Sequence, residues 1–254
     1  MISSSKKNPS GKLEYKFQIP SRDVDTNKEL KLSAIFAYFQ DIASDHSEII
    51  GAGIDKLAND YGIAWILMRV VVEIERWPSV NEEITISTWP FENSILYERD
   101  FTISDSEGNI IIRGASNWIL MDLRTRTITK KKHFEYLLVD FIEERSLSKK
   151  PSKIRIPGEL AFKFEKTISF SDLDYNKHLN NAKYLDYVSD CLGLETHKNY
   201  SIREVEINYM HEEKFGNKLA LYEDTSMMDN NTIYIQGKSD DGVLFVSKLV
   251  LKEK

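Results

Sequence analysis

The segment Asp172-Leu-Asp-Tyr-Asn-Lys-His-Leu179 carries a carboxylate at Asp174, an amide at Asn176 and an imidazole at His178. The three alternate, so an extended chain would point their side chains to one side. A carboxylate and an imidazole together can aim a water and move its proton, and an amide can hold the water or the group it attacks. Ala182, Leu185, Val188 and Leu192 follow at three- and four-residue intervals and predict a helix next. The backbone N–H groups near Leu179–Lys183, at the start of such a helix, are suited to developing negative charge. Taken singly, each residue has a structural use: Asp174 as a helix cap or turn former, Asn176 as a turn residue, His178 as a satisfied surface or core histidine.

The same segment occurs earlier in the chain. Asp23-Val-Asp-Thr-Asn-Lys-Glu-Leu30 aligns with it without a gap, and Tyr38 and Asp41 then meet Tyr187 and Asp190, giving seven identities over 19 positions. The first copy keeps Asp25 and Asn27 but has Glu29 in place of His178 and Leu32 in place of Asn181. One working site per chain, in the C-terminal half, is therefore expected.

The elements around each copy agree. A short alternating strand precedes each, Tyr15–Ile19 and Phe164–Ile168. After the first copy, Leu32, Ile35, Phe36, Phe39, Ile42 and Ala43 form one helical apolar stripe. Strands are predicted at Ile63–Glu75, Glu83–Trp89, Ser94–Ile103 and Ile110–Asp122, then at Ile202–Met210, Lys218–Ser226, Thr232–Lys238 and Leu244–Lys252. The expected class is α+β, a tandem (double) hotdog in which each half is a long helix wrapped by a curved antiparallel sheet. The expected divisions are a flexible tail at 1–11, an N-terminal hotdog at 12–140, a charged linker with Pro151 and Pro157 at 141–160, and a C-terminal hotdog at 161–254.

Composition narrows the partners. Across 254 residues, 41% are hydrophobic and 29% charged, which supports a packed core. The net charge of −6 argues against nucleic acid, whose binding rests on phosphate neutralisation. The single cysteine, Cys191, cannot close an intramolecular disulfide and lies within the second helix as a packed small residue. No apolar run reaches the roughly 18 residues of a membrane helix, and the N-terminus lacks a signal-peptide core. The expectation is a cytoplasmic protein without a membrane partner. Asp174 and His178 could give a metal two ligands, but His46, His133, His197 and His211 are scattered, so no metal is expected.

Four signatures resemble the acyl-acyl carrier protein thioesterases, plant plastid enzymes and their bacterial relatives. They are Trp65-Ile-Leu-Met-Arg-Val-Val-Val-Glu-Ile-Glu-Arg-Trp-Pro78, Ala115-Ser-Asn-Trp-Ile-Leu-Met-Asp-Leu-Arg-Thr-Arg126, Asp172 through Tyr184, and Asn208-Tyr-Met-His-Glu212. The resemblance implies a tandem hotdog without cofactor that releases fatty acids from acyl carrier protein. It also implies a catalytic set of Asp174, Asn176, His178 and Glu212, with Glu212 reaching the motif from the next long strand. Plant members often carry a cysteine directly after this acid; here Glu213 stands there, which weighs against a cysteine nucleophile. The acyl tail would lie between helix and sheet of the N-terminal half, near Phe36, Phe39, Trp65, Met68 and Trp118. Lys130-Lys-Lys132, Lys149, Lys150, Lys153 and Arg155 are candidates to meet an acidic acyl carrier protein bearing the fatty acyl chain. An acyl-coenzyme A thioesterase, a non-catalytic acyl thioester sensor and a hotdog dehydratase are the alternatives, and a homodimer is left open.

Overall fold

The computed structural model describes residues 11–91, 96–129 and 142–254. They form two compact units. The first holds the chain up to Lys31, Tyr38–Met68 and Arg76–Pro151; the second holds Leu32–Ala37, Arg69–Glu75 and Ser152–Lys254.

The first unit holds β1 (Leu13–Gln18), the start of β2 (Ile63–Ile74), β3 (Glu83–Phe91), β4 (Tyr97–Ser104) and β5 (Ile110–Asp122), in spatial order β1-β3-β4-β5-β2. The ladders β1–β3, β3–β4 and β4–β5 are antiparallel. β1 alternates between half-buried and exposed residues, as a strand with one covered face should. Its Phe17 meets Tyr38 edge-on at 5.0 Å. Tyr38 belongs to α1 (Leu32–Ile49), whose apolar stripe of Leu32, Ile35, Phe36, Phe39, Ile42 and Ala43 is buried. Phe39 stacks on Phe101 of β4 with centroids 4.3 Å apart. A Cβ at Gly114 of β5 would overlap the Phe39 ring, so glycine is what lets the helix approach this closely. Each such buried aromatic contributes about 1.5–3 kcal/mol.

The second unit repeats the plan. Its strands are β6 (Ala161–Thr167), β7 (Tyr200–Tyr209), β8 (Lys218–Asp224), β9 (Thr232–Ser239) and β10 (Gly242–Glu253), in spatial order β7-β10-β9-β8-β6. Strand for strand this is the order of the first unit. Within this unit, Arg69–Glu73, the later part of β2, pair with Asn208–Glu204 of β7. The helix differs from expectation: α2 (Lys183–Cys191) has nine residues against 18 in α1. Leu192 is already extended and Gly193, a poor helix former, follows before the short α3 (Leu194–Asn199). Only the first half has a long helix.

Within the stretch read as a charged linker, two residues make buried hydrogen bonds. Ser146 donates to the Asp100 carboxylate at 2.9 Å within the first unit. The Ile154 N–H donates to Asn208 Oδ1 at 3.0 Å within the second. Strand β4 is described from Tyr97, and the expected start at Ser94 lies outside the described residues.

Candidate active site

Each motif copy folds into the same small loop. In the second copy Asp174 Oδ1 accepts from the N–H groups of Asn176 at 2.8 Å and His178 at 3.2 Å. The Asp174 N–H donates to the His178 carbonyl at 2.8 Å, and Leu173 bridges to Leu179. In the first copy Asp25 Oδ1 accepts from Asn27 at 2.8 Å and Glu29 at 3.1 Å, the Asp25 N–H donates to Glu29 at 2.8 Å, and Val24 bridges to Leu30. Lys28 and Lys177 both take left-handed φ values, 65° and 66°. An Asp that captures amides two and four residues on is what makes such a tight turn. The motif is therefore a turn and not an extended segment, and alternation does not set its side chains on one side. Asp174 and His178 are half-buried, whereas Asn176 is exposed at the turn.

A second loop docks on each motif. The Leu179 N–H donates to the Glu213 carbonyl at 2.8 Å, as Leu30 does to Pro78 at 2.9 Å. His178 bridges to Lys214 as Glu29 does to Ser79. Ile168 exchanges backbone hydrogen bonds with Asn217 and Gly216, both at 2.9 Å, as Ile19 does with Glu82 at 3.0 Å and Asn81 at 2.9 Å. These bonds put Trp77 and Pro78 of the first unit in the positions that Glu212 and Glu213 hold in the second.

This docking brings His178 Nδ1 to 3.7 Å from Glu212 Oε2, with the side chains 28% and 36% exposed. The separation is an ion-pair distance, too long for a direct hydrogen bond. Glu212 lies beyond the end of β7 at Tyr209, so it arrives on the β7–β8 loop and not from a strand as expected. Strand geometry would have fixed its side chain through the ladder; here the loop's bonds to the motif do so.

The expected anion-holding amides are largely engaged. Leu179 donates to Glu213, Asn180 to the Asp172 carbonyl at 2.9 Å, Ala182 to Asn180 Oδ1 at 2.9 Å and Lys183 to the Asn180 carbonyl at 2.9 Å. Asn180 caps the chain ahead of α2 with its own side chain, which uses the donors that a bare helix start would leave open.

One buried side chain beside the motif was not among the expected site residues. Tyr184, in the first turn of α2, is 2% exposed and sits edge-on to Tyr209 at 5.4 Å and to Phe245 at 5.2 Å. Burial raises its hydroxyl far above the usual tyrosine range, and Glu213, Glu212 and Asp174, in that order, raise it further. Carboxylates from two loops thus act on one tyrosine that stays a neutral O–H donor. Tyr209 completes the wall by donating to the Asn181 carbonyl at 3.0 Å. The repeat held the signal: Tyr184 aligns with the buried Ile35, as Asn181 does with the buried Leu32.

The other candidates are placed as follows. Phe36 and Phe39 are buried on α1. Trp65 is half-buried, donates to the Ala52 carbonyl at 2.9 Å and meets Tyr97 edge-on at 4.8 Å, beside Leu57, Ile63 and Leu120. Met68 is half-buried on β2, and half-buried Trp118 donates to Ser116 Oγ at 2.8 Å. Of the basic candidates, Lys130–Lys132 lie outside the described residues. Lys150 reaches Glu98 at 3.6 Å, and Lys153 and Arg155 are exposed. Cys191 is buried, with its thiol pushed up to about 12 mainly by that burial, which suits packing and not nucleophilic attack.

Two units of one topology, with the polar residues gathered at one of two matching loops, define a double-hotdog protein. The profile of the Acyl-ACP thioesterase N-terminal domain matches residues 11–133, and that of the C-terminal domain matches residues 159–243. The chain belongs to the acyl-ACP thioesterase family. It is similar to the chloroplastic oleoyl-acyl carrier protein thioesterase 2 of Arabidopsis thaliana, 27% identical over 215 residues, covering 78% of this chain and 58% of that protein. The chain thus spans little more than half the length of this curated relative. The solved acyl-ACP thioesterase of Bacteroides thetaiotaomicron matches with a TM-score of 0.86 at 25% identity, over 95% of this chain and 98% of that one. The 12:0-ACP thioesterase of Umbellularia californica shares the fold, with a TM-score of 0.82 at 20% identity over 96% and 98% of the two chains.

Proposed function

We propose that this protein hydrolyses fatty acyl-acyl carrier protein thioesters to free fatty acid and carrier thiol, without a cofactor. The observation that carries this reading is the His178–Glu212 pair at 3.7 Å, built on a loop whose copy has Glu29 and Trp77 instead. Glu212 and Asp174 orient and polarise a water beside the imidazole, and Asn176 positions the water or the thioester. The water oxygen adds to the thioester carbonyl carbon while its proton passes to the Glu212–His178 pair. Collapse of the tetrahedral intermediate breaks the carbon–sulfur bond, and His178 returns the proton to the leaving thiolate.

The test is thiol release by the purified chain from a panel of acyl-acyl carrier protein thioesters, with the same acyl groups on coenzyme A alongside. Turnover that favours the carrier protein and is lost in His178→Ala is expected. Equal rates in His178→Ala would remove the hydrolytic reading. Faster turnover on coenzyme A would move the partner to that carrier.

A further inference from the structure

The β7–β8 loop holds a second carboxylate that the water chemistry above leaves unused. Glu213 is 2% exposed. Its Oε1 accepts from Asn217 Nδ2 and from the Lys214 N–H, the latter at 3.0 Å. Its Oε2 is buried without a hydrogen-bond partner among the described residues. An idle buried carboxylate oxygen is costly, because it has given up water and gained no partner.

The architecture does not demand that cost. In the first unit Pro78 stands at this position, and its carbonyl accepts from Leu30 as that of Glu213 does from Leu179. The amide that follows, Ser79, is capped at 3.0 Å by Glu82, a side chain that also pairs with Arg76. The same loop is thus built without burying a carboxylate beneath it. The burial of Glu213 occurs only in the unit that carries His178, and its charge is the foremost carboxylate influence on Tyr184.

We propose that Glu213 is a positioning residue of the hydrolytic site, whose buried carboxylate supports the imidazolium formed on His178 as the proton moves. The inference rests on the hydrolase reading above. Fixed charge in a dry surrounding is worth more to a developing opposite charge than the same charge in water.

Glu213→Gln removes the charge and keeps an oxygen for Lys214 and Asn217. Asn217→Ala loosens the loop and keeps the charge. With a carrier-bound acyl thioester, Glu213→Gln should lower kcat about tenfold or more with KM within about twofold and little change in Tm, while Asn217→Ala keeps kcat within about threefold and loses Tm. Wild-type kcat in Glu213→Gln overturns the proposal, as does an equal loss in Asn217→Ala. Should Glu213→Gln not fold, Glu213→Pro, with the residue of the first unit, carries the same expectation. Failure of both to fold makes the carboxylate a structural requirement and ends the proposal. A wild-type chain without turnover would overturn both this inference and the hydrolase reading; turnover in wild type and Glu213→Gln alike would overturn this one alone.

Discussion

The loop at Asp25 and the loop at Asp174 share their hydrogen bonds nearly atom for atom, yet only one is surrounded by groups that can move a proton. Backbone, Asx-type turn, left-handed lysine and docking loop are common to both. The second copy differs by side chains: His178 for Glu29, Asn181 for Leu32, Tyr184 for Ile35, and Glu212-Glu213 for Trp77-Pro78. Scaffold and chemistry are therefore separable in this chain. Asp25 shows that an aspartate here is first a turn builder, so Asp174 has that role whatever else it does.

The separation can be broken in several ways. The largest effect is expected from His178→Glu, which gives the second loop the residue of the first: turnover should fall by about 10²–10⁴ with the Tm retained. Glu29→His should add no activity, because Trp77 and Pro78 occupy the places of the acids; activity that survives in a His178→Glu, Glu29→His double variant would show the halves to be equivalent. Next, Glu212→Gln keeps the size of the side chain but cannot take a proton, and a loss of about 10²-fold in kcat is expected; steady-state kinetics near wild type would remove Glu212 from the site. Asp25→Ala and Asp174→Ala should each cost about 1–2 kcal/mol in urea unfolding, since each removes the acceptor of two loop amides, but only Asp174→Ala should also abolish turnover. Equal activity loss in the pair would mean that fold stability alone explains both.

The smallest effect concerns acid. Glu82 of the first docking loop is held below its ordinary value of 4.5, first by its hydrogen bond to Arg76, with the Ser79 amide assisting against burial. A carboxylate depressed in the folded state adds stability above its unfolded value and loses it as pH falls through the folded value. Its counterpart, Asn217, does not titrate in this range. Unfolding midpoints followed downward from pH 5 should thus fall less steeply in Glu82→Gln than in wild type. Parallel curves would show that the Arg76–Glu82 pair contributes nothing across this window.

Much of the fold was legible because it depends on local patterns. The apolar stripe of α1 and the alternation in β1 each report one buried face, and the repeated Asp-x-Asp-x-Asn-Lys motif reports two matching halves, although its turn was read as extended. The length of α2 was not legible, because its stripe reaches Leu192 while the backbone turns extended there. Glu212 could be named through resemblance but not located, since a residue beyond a strand end has no register. Tyr184 and Glu213 were missed because a buried tyrosine and one acid of an acidic pair look ordinary along the chain.

The sequence by itself determined that there are two similar halves and that the histidine of the motif belongs to one of them. Those facts follow from residue identity and short-range spacing. Only the tertiary structure decided that Glu212 meets His178, that the amides after His178 are already engaged, and that Glu213 is buried with one oxygen idle. The first and the last depend on how a loop more than 30 residues along the chain lies on the motif, and the second on how Asn180 and Asp172 fold back on their neighbours.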